Sequence, residues 1–109
     1  MKQTYYHATP KENVRSIKRE GIHASEDMGV VFLTKSVDDA LMFMEVHHPK
    51  GGLFAVFPIL LDESEVHESH DHNKKYIPCD AYYHEGDIPA DLIPKSLNDI
   101  LLFRLTRKK

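Results

Sequence analysis

The sequence predicts a small α+β fold, on three observations. Strand-like and helix-like segments alternate as far as His47, only strand-like runs follow Pro49, and Gly21, Pro49 and Gly51-Gly52 punctuate the boundaries. The expected order is β-α-β-α-β-β-β, in one domain over residues 1–109.

Residues 3–8 are apolar and aromatic and read as a first strand, with His7 near its end. Thr9, Pro10 and Glu12 then carry a helix-start signature: a capping hydroxyl, proline at the first helical position and a glutamate three residues after the cap. Val14 and Ile17 share one face of that helix, Lys18 and Arg19 suit its C-terminal dipole, and Gly21 ends it. Val30 to Thr34 is a compact apolar run that suits a buried strand. Ser36 caps a second helix, on which Val37, Ala40, Leu41 and Met44 recur at helical spacing. Leu53 to Leu61 is strand-like again, and Pro58 within it predicts an edge or a bulge, because proline cannot donate to a ladder. Residues 62–75 are acidic, His-rich and poor in apolar side chains, which predicts a long loop. Ala81 to Tyr83 and Ile100 to Leu105 supply the last strands, with Ile88-Pro89 as a break and Leu92-Ile93 packing after it. Tyr82 and Tyr83 alternate, so one is expected in the core and the other at a cleft.

Composition excludes several classes of function. The formal net charge is −3 and charges are well mixed along the chain, which leaves no footprint for wrapping duplex nucleic acid. The basic run from Arg104 to Lys109 reads as a solvated end. Cys79 is the only cysteine, so no internal disulfide forms, and a reducing, cytoplasmic setting is expected. No apolar run approaches membrane-spanning length and no secretory leader stands out, so no membrane partner is expected.

The chemistry-bearing residues begin with the strand-to-helix corner at Tyr5-Tyr6-His7-Ala8-Thr9-Pro10. An imidazole and a hydroxyl beside unpaired backbone N–H groups form a place where small polar ligands are gripped. Each has a plainer explanation: a single strand histidine is usually structural, Thr9 is accounted for by capping, and Phe32 by the core. A second concentration is His67-Glu68-Ser69-His70-Asp71-His72, with His47 and His48 upstream. Imidazoles and carboxylates so close together are zinc-ligand types. Helical i, i+4 spacing is missing and no cysteine stands nearby, so the expectation is no metal, with His70, Asp71 and His72 serving instead as a loop over an acceptor.

Taken together, Tyr-His-Ala-Thr before a helix ending Glu-Gly-Ile, then Val31-Phe32-Leu33-Thr34 before a capped helix containing Ala40, resembles the ADP-ribosyltransferase superfamily. The likeness is greatest to small bacterial or phage members, such as the rifamycin ADP-ribosyltransferases and DarT-like toxins. RNA 2′-phosphotransferases look similar through Asp80-Ala81-Tyr82-Tyr83 and Ile88-Pro89-Ala90-Asp91-Leu92-Ile93, so the resemblance spans residues 5 to 93. It implies two small mixed or antiparallel sheets with two main helices, and NAD as a substrate. It also implies transfer of ADP-ribose to an acceptor that is a protein, a nucleic acid or a small molecule. By the family's motifs, His7 would bond a ribose hydroxyl, with Ala8 and Thr9 helping to hold the dinucleotide. Phe32 stands where a nicotinamide-stacking tyrosine is usual. The family's carboxylate falls on Asp80 by its spacing to Ile88-Pro89, with Glu85 the competitor. Cleavage of the nicotinamide–ribose bond develops positive charge on the sugar, which a fixed carboxylate stabilises. The alternatives from the same sequence are an RNA 2′-phosphotransferase-like enzyme and a non-catalytic nucleotide- or partner-binding module. The acidic balance and scarce arginines weigh against the former, because phosphate recognition favours arginine forks.

Overall fold

The computed structural model describes residues 1–69, 81–96 and 99–105. It is an α+β structure of two helices and two three-stranded antiparallel sheets. The strands are β1 (Lys2–Pro10), β2 (Val30–Leu33), β3 (Gly52–Asp62), β4 (Val66–Ser69), β5 (Ala81–Glu85) and β6 (Leu101–Leu105), and the helices are α1 (Val14–Glu20) and α2 (Val37–His47). One sheet runs β1-β3-β6 and the other β2-β5-β4. Tyr6 and Thr34 join them through a pair of backbone bonds, Tyr6 N–H to the Thr34 carbonyl at 2.8 Å and Thr34 N–H to the Tyr6 carbonyl at 2.9 Å. Through that bridge the strands follow one another as β4-β5-β2-β1-β3-β6.

The core lies where the two sheets meet. Phe57, Ile59 and Leu61 on β3 alternate inward, and Tyr5, Val31, Leu33 and Ile88 close around them. Burying side chains of this size, at roughly 1.5–3 kcal/mol each, is the main stabilising contribution available to a chain of this length. A second backbone bridge, Ile22 with Ile88, ties the segment after α1 to the segment after β5. It depends on Gly21, whose φ of 85° and ψ of −170° belong to a region that only glycine occupies readily. A Cβ at Gly21 would stand 2.2 Å from the Ile88 carbonyl oxygen, so the two segments approach too closely for any side chain.

Both helices stop where the sequence says, at Gly21 and before Pro49, and Ser36 caps α2 by accepting from the Asp39 N–H at 3.1 Å. The start of α1 differs from expectation. Thr9 remains in β1 opposite Ala55, and its buried hydroxyl accepts from the Asn13 side chain at 2.9 Å instead of capping. A 3₁₀ turn over Lys11–Asn13 follows Pro10, and only then does α1 begin.

Pro58 is not on an edge strand, since β3 is the middle strand of its sheet. The proline is tolerated for a local reason. Tyr6 turns both its backbone groups toward Thr34, so the Tyr6–Pro58 pair is not hydrogen-bonded and the Pro58 nitrogen faces the other side. There β6 ends at Leu101, opposite Val56, and among the described residues no strand extends past it to need a donor.

The expected loop over residues 62–75 is also corrected in part: a 3₁₀ turn at Glu63–Glu65 leads into β4, which pairs with β5. Residues 70–75 lie outside the described residues, as do Cys79 and the chain end after Leu105. Among the described residues, no helix is long and apolar enough to cross a membrane.

Candidate functional site

A cavity of about 930 Å³ opens between β2, α2 and the segment that follows α1. Its size is that of sites that enclose small molecules and cofactors. The first helix itself, Val14–Glu20, contributes nothing to the lining. Expectation placed the cleft beside that helix; instead α2 forms the far wall, through Ala40, Phe43, Met44 and the histidines at its end.

His7 and Phe32, far apart in sequence, are brought together at this cavity. The His7 Nδ1 lies 2.9 Å from the Phe32 carbonyl oxygen. A carbonyl only accepts, so Nδ1 carries the proton and Nε2 is left with a bare lone pair. Burial pushes the His7 imidazole below its ordinary value, and the bond to Phe32 opposes that only in part. His7 is therefore neutral at physiological pH, and its free nitrogen is an acceptor for a ligand hydroxyl. Phe32 is 39% exposed on β2, while its neighbours Val31 and Leu33 are buried. Strand alternation turns the Phe32 ring outward, while the flanking Val31 and Leu33, which also border the cavity, fill the core.

Ala8 lines the cavity next to His7, whereas Thr9 does not. Thr9 is committed to Asn13, which leaves its oxygen an internal partner. Glu85 closes β5 opposite Val30 and is exposed, outside the cavity lining. Asp80 lies outside the described residues, although Ala81, which follows it, lines the cavity beside Ser69. His70, Asp71 and His72 also lie outside them. The tyrosines divide only in part, since Tyr82 packs against the core as expected but Tyr83 does not reach the cavity. Both are half-buried and neither lines the cavity: Tyr82 packs toward Tyr5 at 6.1 Å between ring centres, and Tyr83 toward His67 at 5.3 Å.

Four cavity residues have no site signal in the sequence. Phe43 and Met44 face the cavity from α2, a pattern that reads as ordinary core. His23 lines the rim and is held from outside by Asp87, whose carboxylate also accepts from the Ala24 N–H at 2.7 Å. That backbone bond, then His23, holds the Asp87 carboxyl below its usual range, and Asp87 in turn raises His23. Ser25 lies in the lining too, and its hydroxyl oxygen is buried with no hydrogen-bond partner among the described residues. Buried hydroxyls are nearly always paired, so this one is an exception at the cavity wall.

The lining as a whole is apolar. Among the described residues, no lysine, arginine, aspartate or glutamate belongs to it, and His7, His23, His47 and His48 are its titratable groups. His47 is engaged with the Phe43 carbonyl at 2.8 Å, and His48 packs against Phe54 with ring centres 5.1 Å apart. Among the described residues no group of three or more His, Cys, Asp or Glu side chains is arranged to hold a metal ion.

No protein-family model matches the chain, and no curated protein does either.

Proposed function

We propose that this cavity holds the nicotinamide–ribose half of NAD and that the protein transfers ADP-ribose to an acceptor. The carrying observation is the His7–Phe32 pairing on one cavity wall, in which a neutral imidazole offers a bare Nε2 beside an outward aromatic ring. Nε2 would accept from a ribose hydroxyl. Phe32 would stack on the nicotinamide, whose pyridinium charge is drawn to an aromatic face. A lining without lysine or arginine, with His7 held neutral, does not repel that charge. Among the described residues the lining holds no lysine or arginine for the diphosphate half, which would lie toward the rim, where Asp87 raises His23. The unpartnered Ser25 hydroxyl suits the carboxamide.

The carboxylate of this reaction would be Asp80 in preference to Glu85. In support, Ala81 lines the cavity while Glu85 stands apart from it. The carboxylate would stabilise the oxocarbenium-like sugar as nicotinamide leaves with the bonding electrons, and the acceptor nucleophile would then attack the same carbon. Incubation with labelled NAD and a panel of proteins, nucleic acids and small molecules tests the proposal. Asp80→Asn should reduce turnover by ~10²–10⁴ while leaving NAD binding in place. Loss of activity in Glu85→Gln with a silent Asp80→Asn would reassign the carboxylate.

One observation favours a second possibility, a nucleotide-binding module without catalysis: among the described residues no carboxylate lines the cavity. NAD binding with no cleavage or transfer, in the wild type and both variants, would select it.

A further inference from the structure

On the outer face of α1, away from the cavity, the chain gathers cations that its net charge conceals. Lys11, Arg15, Lys18, Arg19 and Lys95 line one concavity of about 500 Å³, with Glu12 as the single acid among them. Arg19 is paired with Glu20 at 3.0 Å. Among the described residues, Lys11, Arg15 and Lys18 make no ion pair. Lys95 comes from the segment after β5 and donates its ammonium to the Lys18 carbonyl, which sets a further positive charge beside that row. Like charges so placed repel one another, and the fold gains nothing internal from crowding them. Val14 and Leu102 form an apolar floor, with Leu102 53% exposed.

We propose that this face binds the phosphate backbone of a nucleic-acid strand. Lys11 to Lys18 covers roughly 10 Å of helix rise, the span of about two adjacent phosphates of an extended strand, with Arg19 and Lys95 beside the row for those on either side. A lone phosphate would engage only part of the row. Arg15 adds a guanidinium fork matched to phosphate oxygens, and the aliphatic floor accommodates sugar and base edges. An acidic peptide fits less well. A run of carboxylates offers no sugar or base to cover the Val14 and Leu102 floor. This inference does not depend on what the cavity binds.

The test is fluorescence anisotropy of the full chain with labelled 20-nucleotide single strands of RNA and DNA, from 50 to 200 mM salt. Binding should weaken with salt at a log–log slope between about −2 and −3.5, as three to five neutralised phosphates require. The double variant Arg15→Gln/Lys18→Gln, which keeps good helix formers, should bind at least about tenfold more weakly at 50 mM salt, with a slope shallower by about 1.4. Swapping the two cations, Arg15→Lys/Lys18→Arg, should restore binding, and Lys50→Ala, outside this face, should leave it unchanged. No binding at 50 mM salt, or full binding by the Gln variant, overturns the proposal. Equal competition by poly-glutamate would overturn it in favour of an acidic protein partner.

Discussion

Sheet β1-β3-β6 drives an 11-residue strand through the core, with Phe54 to Phe57 all buried. The strands of β2-β5-β4 are only four or five residues long, and they present Phe32, His67 and Glu85 outward. Both sheets are antiparallel and both reach the core, so the difference lies in what their outer positions are free to do. The middle strand of the first sheet is buried along most of its length and spends its inward side chains on packing, while β1 also sends His7 and Ala8 to the cavity. The second is thin, is joined to the first through Tyr6 and Thr34, and turns Phe32 outward at an open cavity, with His67 and Glu85 outside its lining. Stability rests chiefly on β3, which contributes nothing to the cavity lining, and ligand contact on β2 together with His7 of β1, so substitutions should separate them.

Phe57→Ala should have the largest effect, a loss of ~3–5 kcal/mol of stability, read as a fall in the denaturation midpoint at unchanged slope. Gly21→Ala comes next. It forces a glycine-only backbone region and drives a methyl into the Ile88 carbonyl, so a loss of about 3 kcal/mol is expected from thermal or urea unfolding. A wild-type melting curve for that variant would mean that the Ile22–Ile88 bridge does not hold the two segments together.

His7→Ala moves the comparison to the cavity: NAD affinity measured by calorimetry should fall by the ~1–3 kcal/mol of a lost hydrogen bond. Unchanged affinity would place the ligand elsewhere. Phe32→Ala should weaken binding by only ~0.5–1.5 kcal/mol, the worth of an aromatic contact, and should destabilise the fold far less than Phe57→Ala. If the two phenylalanines proved equally important for stability, the division between the sheets would be wrong.

The smallest effect is that of pH. His7 titrates below its ordinary 6.5 when folded, so the unfolded chain takes up the proton first on acidification. Its contribution should be constant above 6.5, decline as pH falls toward the lowered folded value, and then level off. Binding through Nε2 should likewise be flat at neutral pH and fall only once the folded imidazole charges. NMR titration of the His7 ring checks both, and an unshifted midpoint would contradict its burial.

Much of the fold was legible because local chemistry and tertiary position agree. Ser36 and Asp39 announce α2, Gly21 ends α1, and the apolar runs at β2, β3 and β5 are strands. Failures arose where a residue's partner is distant. Thr9 has a capping sequence around it, but β3 holds it extended and Asn13 takes its hydroxyl. In β4 only Val66 and Ser69 turn inward, too few to stand out from a polar stretch. At the site, the order of motifs suggested that His7 and Phe32 belong together. The wall supplied by Phe43 and Met44 was hidden because cavity-facing and core-facing residues have the same helical spacing. The cations around α1 escaped for another reason: net charge averages over a surface that is divided by sign.

Pro58 has a consequence for how copies of this chain behave toward one another. Past Leu101 no strand pairs with that flank of β3 among the described residues, and Leu60 stands 52% exposed. An unguarded strand flank with an apolar side chain is a template on which a second chain can add by backbone pairing, the first step of aggregation. Proline withholds the donor that such a visitor would need, at the point where the neighbouring strand has run out. The residue that looks misplaced in a central strand thus removes one of the donors along the part of β3 that outlasts its partner, which makes that flank a weaker template for a second chain.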